Sequence, residues 1–397
     1  MTASLVALIL LLFTAFASGG RTKLDWRTEY SDSSDGICNL MVVTQGYTCE
    51  EHRVTTKDGY ILSMQRIPTG RTGGGNNGGA KPPVLLQHGL MSDAMTWLSN
   101  SPAESLGFIL ADNGFDVWLA SVRGTTYSTG HTSLTPDDPE YWNWSWDELV
   151  AYDLPSTFQY VYNQTGHKLH YVGHSLGTLM AFGAFSRNEV SDIVRSAALL
   201  SPIAYMGQMP SPLARAAADS FIAEDLYWLG LNEFDPGGGA ASKLVAEVCT
   251  KINCTDLESV ITGPNCCMNT SKSNLDHQQP TATKNMVHLA QMIRRGTIAM
   301  YDYDDEGENK KHYGQSSPPE YNITSIPNNL PIFLGYGGKD LLSDVNDVQT
   351  LIDTLSDHDP DKIVLQYTEE YAHLDFVYGI NAKEVVYNPL IAFFNLN

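Results

Sequence analysis

Residues 169–186 read LHYVGHSLGTLMAFGAFS, and this stretch decides the fold. Its first four residues form an apolar run suited to a buried strand, and TLMAFGAF is a small-residue apolar helix. Between them stands Gly173-His174-Ser175-Leu176-Gly177, the G-x-S-x-G spacing. Strand, sharp turn and helix in that order make a nucleophile elbow, which presents a serine hydroxyl above the edge of a sheet. Glycines flank the serine because side chains would collide at so tight a turn. The helix that follows points its N-terminus at the hydroxyl, and its dipole favours negative charge developing there.

Outward from the elbow, strands and helices alternate. PVLLQ at 83–87, DVWLA at 116–120 and AALL at 197–200 are apolar runs. A helix is expected from Tyr152 to Tyr162. Such alternation predicts a mostly parallel sheet covered on both faces, the α/β-hydrolase architecture. HRVTTKDGYILSMQRIP, around Asp58-Gly59, reads as a β-hairpin. The glycine-rich tract TGRTGGGNNGGAKP reads as a loop, and residues 18–50 as a polar, irregular N-terminal arm.

The rhythm breaks between about Tyr205 and Asn322 and returns with LPIFLGYG and KIVLQYT. EVVYNPLIAFFNLN then closes the chain as a helix. The expected organisation is a signal peptide over 1–19, a first core part over 20–204, a helical cap or lid over 205–322 and a second core part over 323–397.

A serine at its free pKa is a poor nucleophile and needs a base. In this fold the partners follow in the order serine, acid, histidine. His373 follows KIVLQYT directly, in the post-strand loop where the base belongs, whereas His358 precedes that strand. The acid belongs after LPIFLGYG, where GGKDLLSDVNDV offers Asp340, Asp344 and Asp347. Asp340 comes first after the strand, and Asp344 is expected to cap the following helix. The oxyanion hole would combine the Leu176 backbone N–H with one from the loop after PVLLQ. Leu90 is the expected donor there and Met91 the runner-up. This chemistry calls for no metal and no organic cofactor.

Composition bounds the rest. Lys and Arg total 24 against 45 Asp and Glu, a formal charge of −21. That excludes the basic footprint of a nucleic-acid binder and disfavours anionic membranes. MTASLVALILLLFTAFASGG, at residues 1–20, resembles a secretory signal without a basic residue ahead of the apolar run. The alternative is a signal anchor. Nothing later is long and apolar enough to span a bilayer, so no stable membrane insertion is expected. Sequons begin at Asn143, Asn163, Asn253, Asn269 and Asn322. In an oxidising compartment the six cysteines can pair. Cys38 is paired with Cys49, three connectivities stay open for Cys249, Cys254, Cys266 and Cys267, and adjacent Cys266 and Cys267 are not expected to bond.

The motifs together resemble the acid lipase family of gastric and lysosomal enzymes and their plant triacylglycerol lipase relatives. The resemblance runs from about residue 40 to the end of the chain. It rests on Asp58-Gly59-Tyr60-Ile61-Leu62, Leu86-Gln87-His88-Gly89-Leu90, Asp116-Val117-Trp118-Leu119, the elbow, Gly337-Gly338-Lys339-Asp340 and His373-Leu374-Asp375-Phe376. It implies an α/β-hydrolase core with a cap, and hydrolysis of triacylglycerols or sterol esters at an oil–water interface. It also implies catalysis by Ser175, Asp340 and His373, with Leu90 and Leu176 as oxyanion donors. The chain departs from the animal members in carrying Leu176 where they have Gln, and in its cap. A secreted or lumenal site of action, of vacuolar or lysosomal type, is the corresponding expectation. The rival readings are a catalytically silent lipid-binding protein and a peptidase or acyltransferase on the same triad.

Overall fold

The computed structural model describes residues 36–71, 81–236, 257–268 and 278–397. The signal segment 1–19, most of the glycine-rich tract, Cys249, Cys254 and the sequons at Asn253 and Asn269 lie outside the described residues.

Most of the strands fall in one sheet. Its main path runs β1 (Glu50–Thr55), β2 (Tyr60–Ile67), β4 (Asp116–Ala120), β3 (Pro83–Gln87), β6 (Leu169–His174), β7 (Val194–Leu200), β10 (Ile332–Gly337), β11 (Ile363–Thr368). The short β5 (Gly130–His131) pairs with β2. β1 and β2 are the expected hairpin, antiparallel, and β2 also meets β4 antiparallel. From β4 onward every pairing is parallel, as the apolar runs predicted.

Alternation sends side chains to two cores, one on each face. Leu85, Trp118, Tyr171, Leu199 and Leu334 pack under α2 (Leu154–Thr165) and α3 (Leu176–Ser186). Val84, Leu86, Val117, Val172 and Phe333 pack with α1 (Leu106–Asp112) and the C-terminal helix Asn388–Leu396. All eleven residues of α3 are buried, so the helix that begins at the elbow has no solvent face.

The segment 205–322 holds α4 (Pro212–Asp219), α5 (Ile222–Trp228), α6 (Leu257–Thr262), α7 (Thr283–Arg295) and α8 (Glu306–Tyr313). It also holds a two-stranded ribbon the sequence reading did not anticipate, β8 (Glu233–Phe234) with β9 (Thr281–Ala282). α7 buries Val287, Leu289, Met292 and Ile293 and packs on α4 and α5. Arg294 donates to the Ala218 carbonyl, pairs with Glu224 and lies over the Phe221 ring. α7 is anchored to the core by His288 stacked on Trp146 and by Lys284 donating to Asn143 Oδ1 at 3.0 Å.

Two expectations are corrected. The described part of the arm is not irregular: Cys38–Val42 and Val43–Gln45 are helical turns, held by the expected Cys38–Cys49 disulfide. Cys266 and Cys267, expected not to bond each other, form a disulfide. The carboxylate of Asp375 accepts the N–H of Cys266 and of Cys267, which fixes the turn that brings the two sulfurs together.

Candidate active site

The local sequence builds the elbow. β6 ends at His174 and α3 begins at Leu176, leaving Ser175 alone at the turn with φ 53° and ψ −115°. A non-glycine residue there is strained and persists only where its surroundings over-determine it. They do: the Ser175 N–H donates to the Leu200 carbonyl at the end of β7. A β-carbon on Gly177 would stand 2.5 Å from the Gln87 carbonyl oxygen, and one on Gly173 would stand 2.8 Å from Gly177. Both flanking glycines are therefore required by close backbone approach.

The two other expected residues come from loops after β10 and β11 and meet. His373 Nδ1 lies 2.9 and 3.0 Å from the two carboxylate oxygens of Asp340. Both residues are buried. Burial alone would raise the Asp340 carboxyl. The charge and hydrogen bond of His373, with the N–H groups of Ser343 and Leu342, outweigh it and hold Asp340 below the usual carboxylate range. Asp340 thus stays ionised and fixes the imidazole with its proton on Nδ1, leaving Nε2 able to accept one. No hydrogen bond joins Ser175 Oγ to His373 among the described residues; in ligand-free enzymes this contact is often long.

Asp344 has the role expected of it, capping the helix α9 (Val345–Thr354) by accepting from the N–H groups of Asn346 and Asp347. His358 is buried elsewhere and bonds the Leu330 carbonyl.

The loop after β3 closes the site. A β-carbon on Gly89 would stand 3.0 Å from Ser175 Cβ, which puts Leu90 next to the serine. Met91, the runner-up, has φ 54° and accepts from the Gln279 N–H. His88 below it donates from Nδ1 to Gly89 and accepts at Nε2 from Val122. Burial pushes the His88 imidazole down to about 4, so it is neutral and keeps that tautomer. The N–H groups of Leu90 and Leu176 make no hydrogen bond among the described residues.

Sequence reasoning missed the groups that hold His373. Its carbonyl accepts from His174 Nε2 at 2.9 Å and from Ser201 Oγ at 3.2 Å. Burial, then repulsion from His373, pushes His174 down to about 3, so His174 serves as a neutral donor. The one sequence signal for it was its place immediately before the serine.

Comparison with known proteins agrees with the fold. A family model described as a partial α/β-hydrolase lipase region matches residues 38–101, and one described as the α/β hydrolase fold matches 82–359. Triacylglycerol lipase 2 of Arabidopsis thaliana is 48% identical over 98% of this chain and 95% of that protein. Human gastric triacylglycerol lipase is 38% identical over 89% of each chain. A soluble variant of monoglyceride lipase from Saccharomyces cerevisiae, solved with a substrate analog, shares the fold with a TM-score of 0.55 at 13% identity, over 88% of this chain and 95% of that one. The chain therefore belongs to the acid lipase family of α/β-hydrolases and is a carboxylic ester hydrolase.

Proposed function

We propose that the chain cleaves acyl esters of glycerol or sterols through an acyl-enzyme on Ser175. The observation that carries this is the buried Asp340–His373 pair at the end of the sheet where Ser175 is held in its elbow. His373 Nε2 takes the Ser175 proton as Oγ attacks the ester carbonyl. Asp340 keeps the proton on Nδ1 and stabilises the imidazolium. The oxyanion rests on the N–H groups of Leu90 and Leu176. His373 returns the proton to the departing alcohol, and water then hydrolyses the acyl-enzyme along the same route.

Residues 205–322 act as a cap in this reading. Trp228 is 84% exposed, with Phe221 and Leu229 each at 49%. Such a cluster suits contact with a lipid droplet. The protein would act in the secretory pathway, outside the cell or in a lumenal compartment. Among the described residues no helix is long and apolar enough to cross a membrane.

Ser175→Ala tests the reading on a panel from short p-nitrophenyl esters to emulsified triolein. Loss of about a million-fold in kcat on every ester hydrolysed by the wild type is expected. Retained turnover would remove Ser175 as nucleophile. A wild-type protein that binds but does not hydrolyse any of the panel would favour the silent binding protein.

A further inference from the structure

The residue after α6 that matters most is Asn265, which sits in the insertion and not in the core. The Thr262 carbonyl at the end of α6 accepts two N–H groups from two different loops. One is Leu341, next to Asp340, at 3.3 Å, and the other is His373 itself at 3.2 Å. Asn265 Oδ1 accepts the N–H of Leu374, the residue after His373, at 3.1 Å. Its Nδ2 donates to Thr262 Oγ1 at 3.0 Å. That hydroxyl already donates to the Glu258 carbonyl, so it has only lone pairs to offer. The site therefore asks for one donor and one acceptor on a short, planar side chain, which asparagine alone supplies at that reach.

The rest of the strap continues the same work. Asp375 accepts from Ala372 on one side and from Cys266 and Cys267 on the other. The Cys267 carbonyl accepts from Ile380. Gly263, at φ +100°, lies so close to Lys339 that a β-carbon would overlap the Lys339 carbonyl oxygen. Every backbone N–H from Ala372 to Leu374 is thus fixed by residues 262–265 or by the carboxylate that also holds 266 and 267.

We propose that Asn265 is a positioning residue for His373, and that the strap 262–267 is the mount on which the base is aligned toward Ser175. The proposal rests on the triad reading above. Through the strap, the insertion belongs to the catalytic geometry as well as to substrate access. Displacement of a reacting group by about 1 Å costs about a hundred-fold in rate. A mount that fails by a fraction of that distance should lower turnover without touching ester binding.

The test uses the full-length enzyme and a short soluble p-nitrophenyl ester. Asn265→Ala is expected to lower kcat roughly 10- to 100-fold with KM held within about two-fold. Asn265→Asp keeps the acceptor for Leu374 but loses the donor to Thr262 Oγ1, and should recover part of kcat. Wild-type kcat in Asn265→Ala would overturn the proposal, as would a lowered melting temperature with kcat intact, or no recovery in Asn265→Asp. Should Asn265→Ala fail to fold, Thr262→Val carries the same test: it keeps the carbonyl that holds His373 and removes the hydroxyl that aims the amide. Its kcat should fall several-fold at constant KM, and unchanged kcat would overturn the proposal. Ser175→Ala in parallel separates the two readings. If it is inert while Asn265→Ala behaves as wild type, the mount is refuted and the triad stands. If it retains turnover, both fall.

Discussion

His373 Nδ1 stands almost equally far from both carboxylate oxygens of Asp340, at 2.9 and 3.0 Å. One N–H is shared between two acceptors, and Oδ1 also takes the N–H groups of Leu342 and Ser343. The carboxylate is thereby fixed against the ring it must orient.

Asp340→Asn puts an amide where this acceptor stood and frees the imidazole to adopt the other tautomer. kcat should fall by about four orders of magnitude with the fold intact. Asp344→Ala, four residues on, removes a helix cap and the cap's contact with Asp347, and should cost about 1 kcal/mol or more of stability while kcat/KM holds. Steady-state kinetics and urea unfolding on both variants check the pair. A larger kinetic loss at Asp344 would reverse the assignment of the acid.

Gly177→Ala adds one methyl group 2.5 Å from the Gln87 carbonyl oxygen. Backbone of β3 cannot yield without moving the loop that carries Leu90, so the elbow must shift. Turnover should drop at least about a hundred-fold, read as slowed phosphonylation of Ser175 by an active-site phosphonate. Labelling at the wild-type rate would show that the elbow has slack.

Asp93 follows the Leu90 loop, is buried, and leaves Oδ2 without a hydrogen bond. Burial, opposed only by the Met95 N–H, raises its carboxyl to about 7. A folded pKa above the unfolded value of about 4 means the native state holds the extra proton. Its stabilising contribution is therefore complete below about pH 4 and is lost as pH rises through about 7. Asp93→Asn should flatten the stability curve across that window and exceed wild type at pH 8. Urea melts of both proteins at pH 4, 5.5, 7 and 8 give the comparison. Parallel curves would mean that Asp93 is not the titrating group.

The exposed face at Phe221, Trp228 and Leu229 makes a prediction about substrate form. Wild-type activity on a long-chain triacylglycerol should rise sharply once droplets form, with no such jump for a soluble short ester. Trp228→Ser with Leu229→Ser should reduce emulsion hydrolysis by at least several-fold and leave the soluble ester nearly unaffected. Equal losses on both substrates would assign these residues to packing.

The elbow was legible because strand, serine and helix are contiguous, and each announces itself by periodicity and glycine spacing. Asp340 and His373 were legible because each follows an apolar strand in an order the fold imposes. Asn265, Thr262 and Asp375 carried no such mark. Asn265 acts on the backbone of Leu374, 109 residues away, and Thr262 acts through its own carbonyl, a group every residue has. The Cys266–Cys267 bond was misjudged because neighbouring cysteines are brought together by the Asp375 carboxylate, which chain distance alone does not reveal.

The sheet is assembled along this side in the order β3, β6, β7, β10, β11, which is also the order of synthesis. Each parallel strand made after β3 docks on a partner that already exists. Ser175, between β6 and α3, is translated before its proposed acid and base, which lie 165 and 198 residues later. The growing polypeptide thus carries the proposed nucleophile without its proton acceptor through half of its own production. In the proposed triad the base therefore arrives only with β11, and no acyl-enzyme can form before that strand is made.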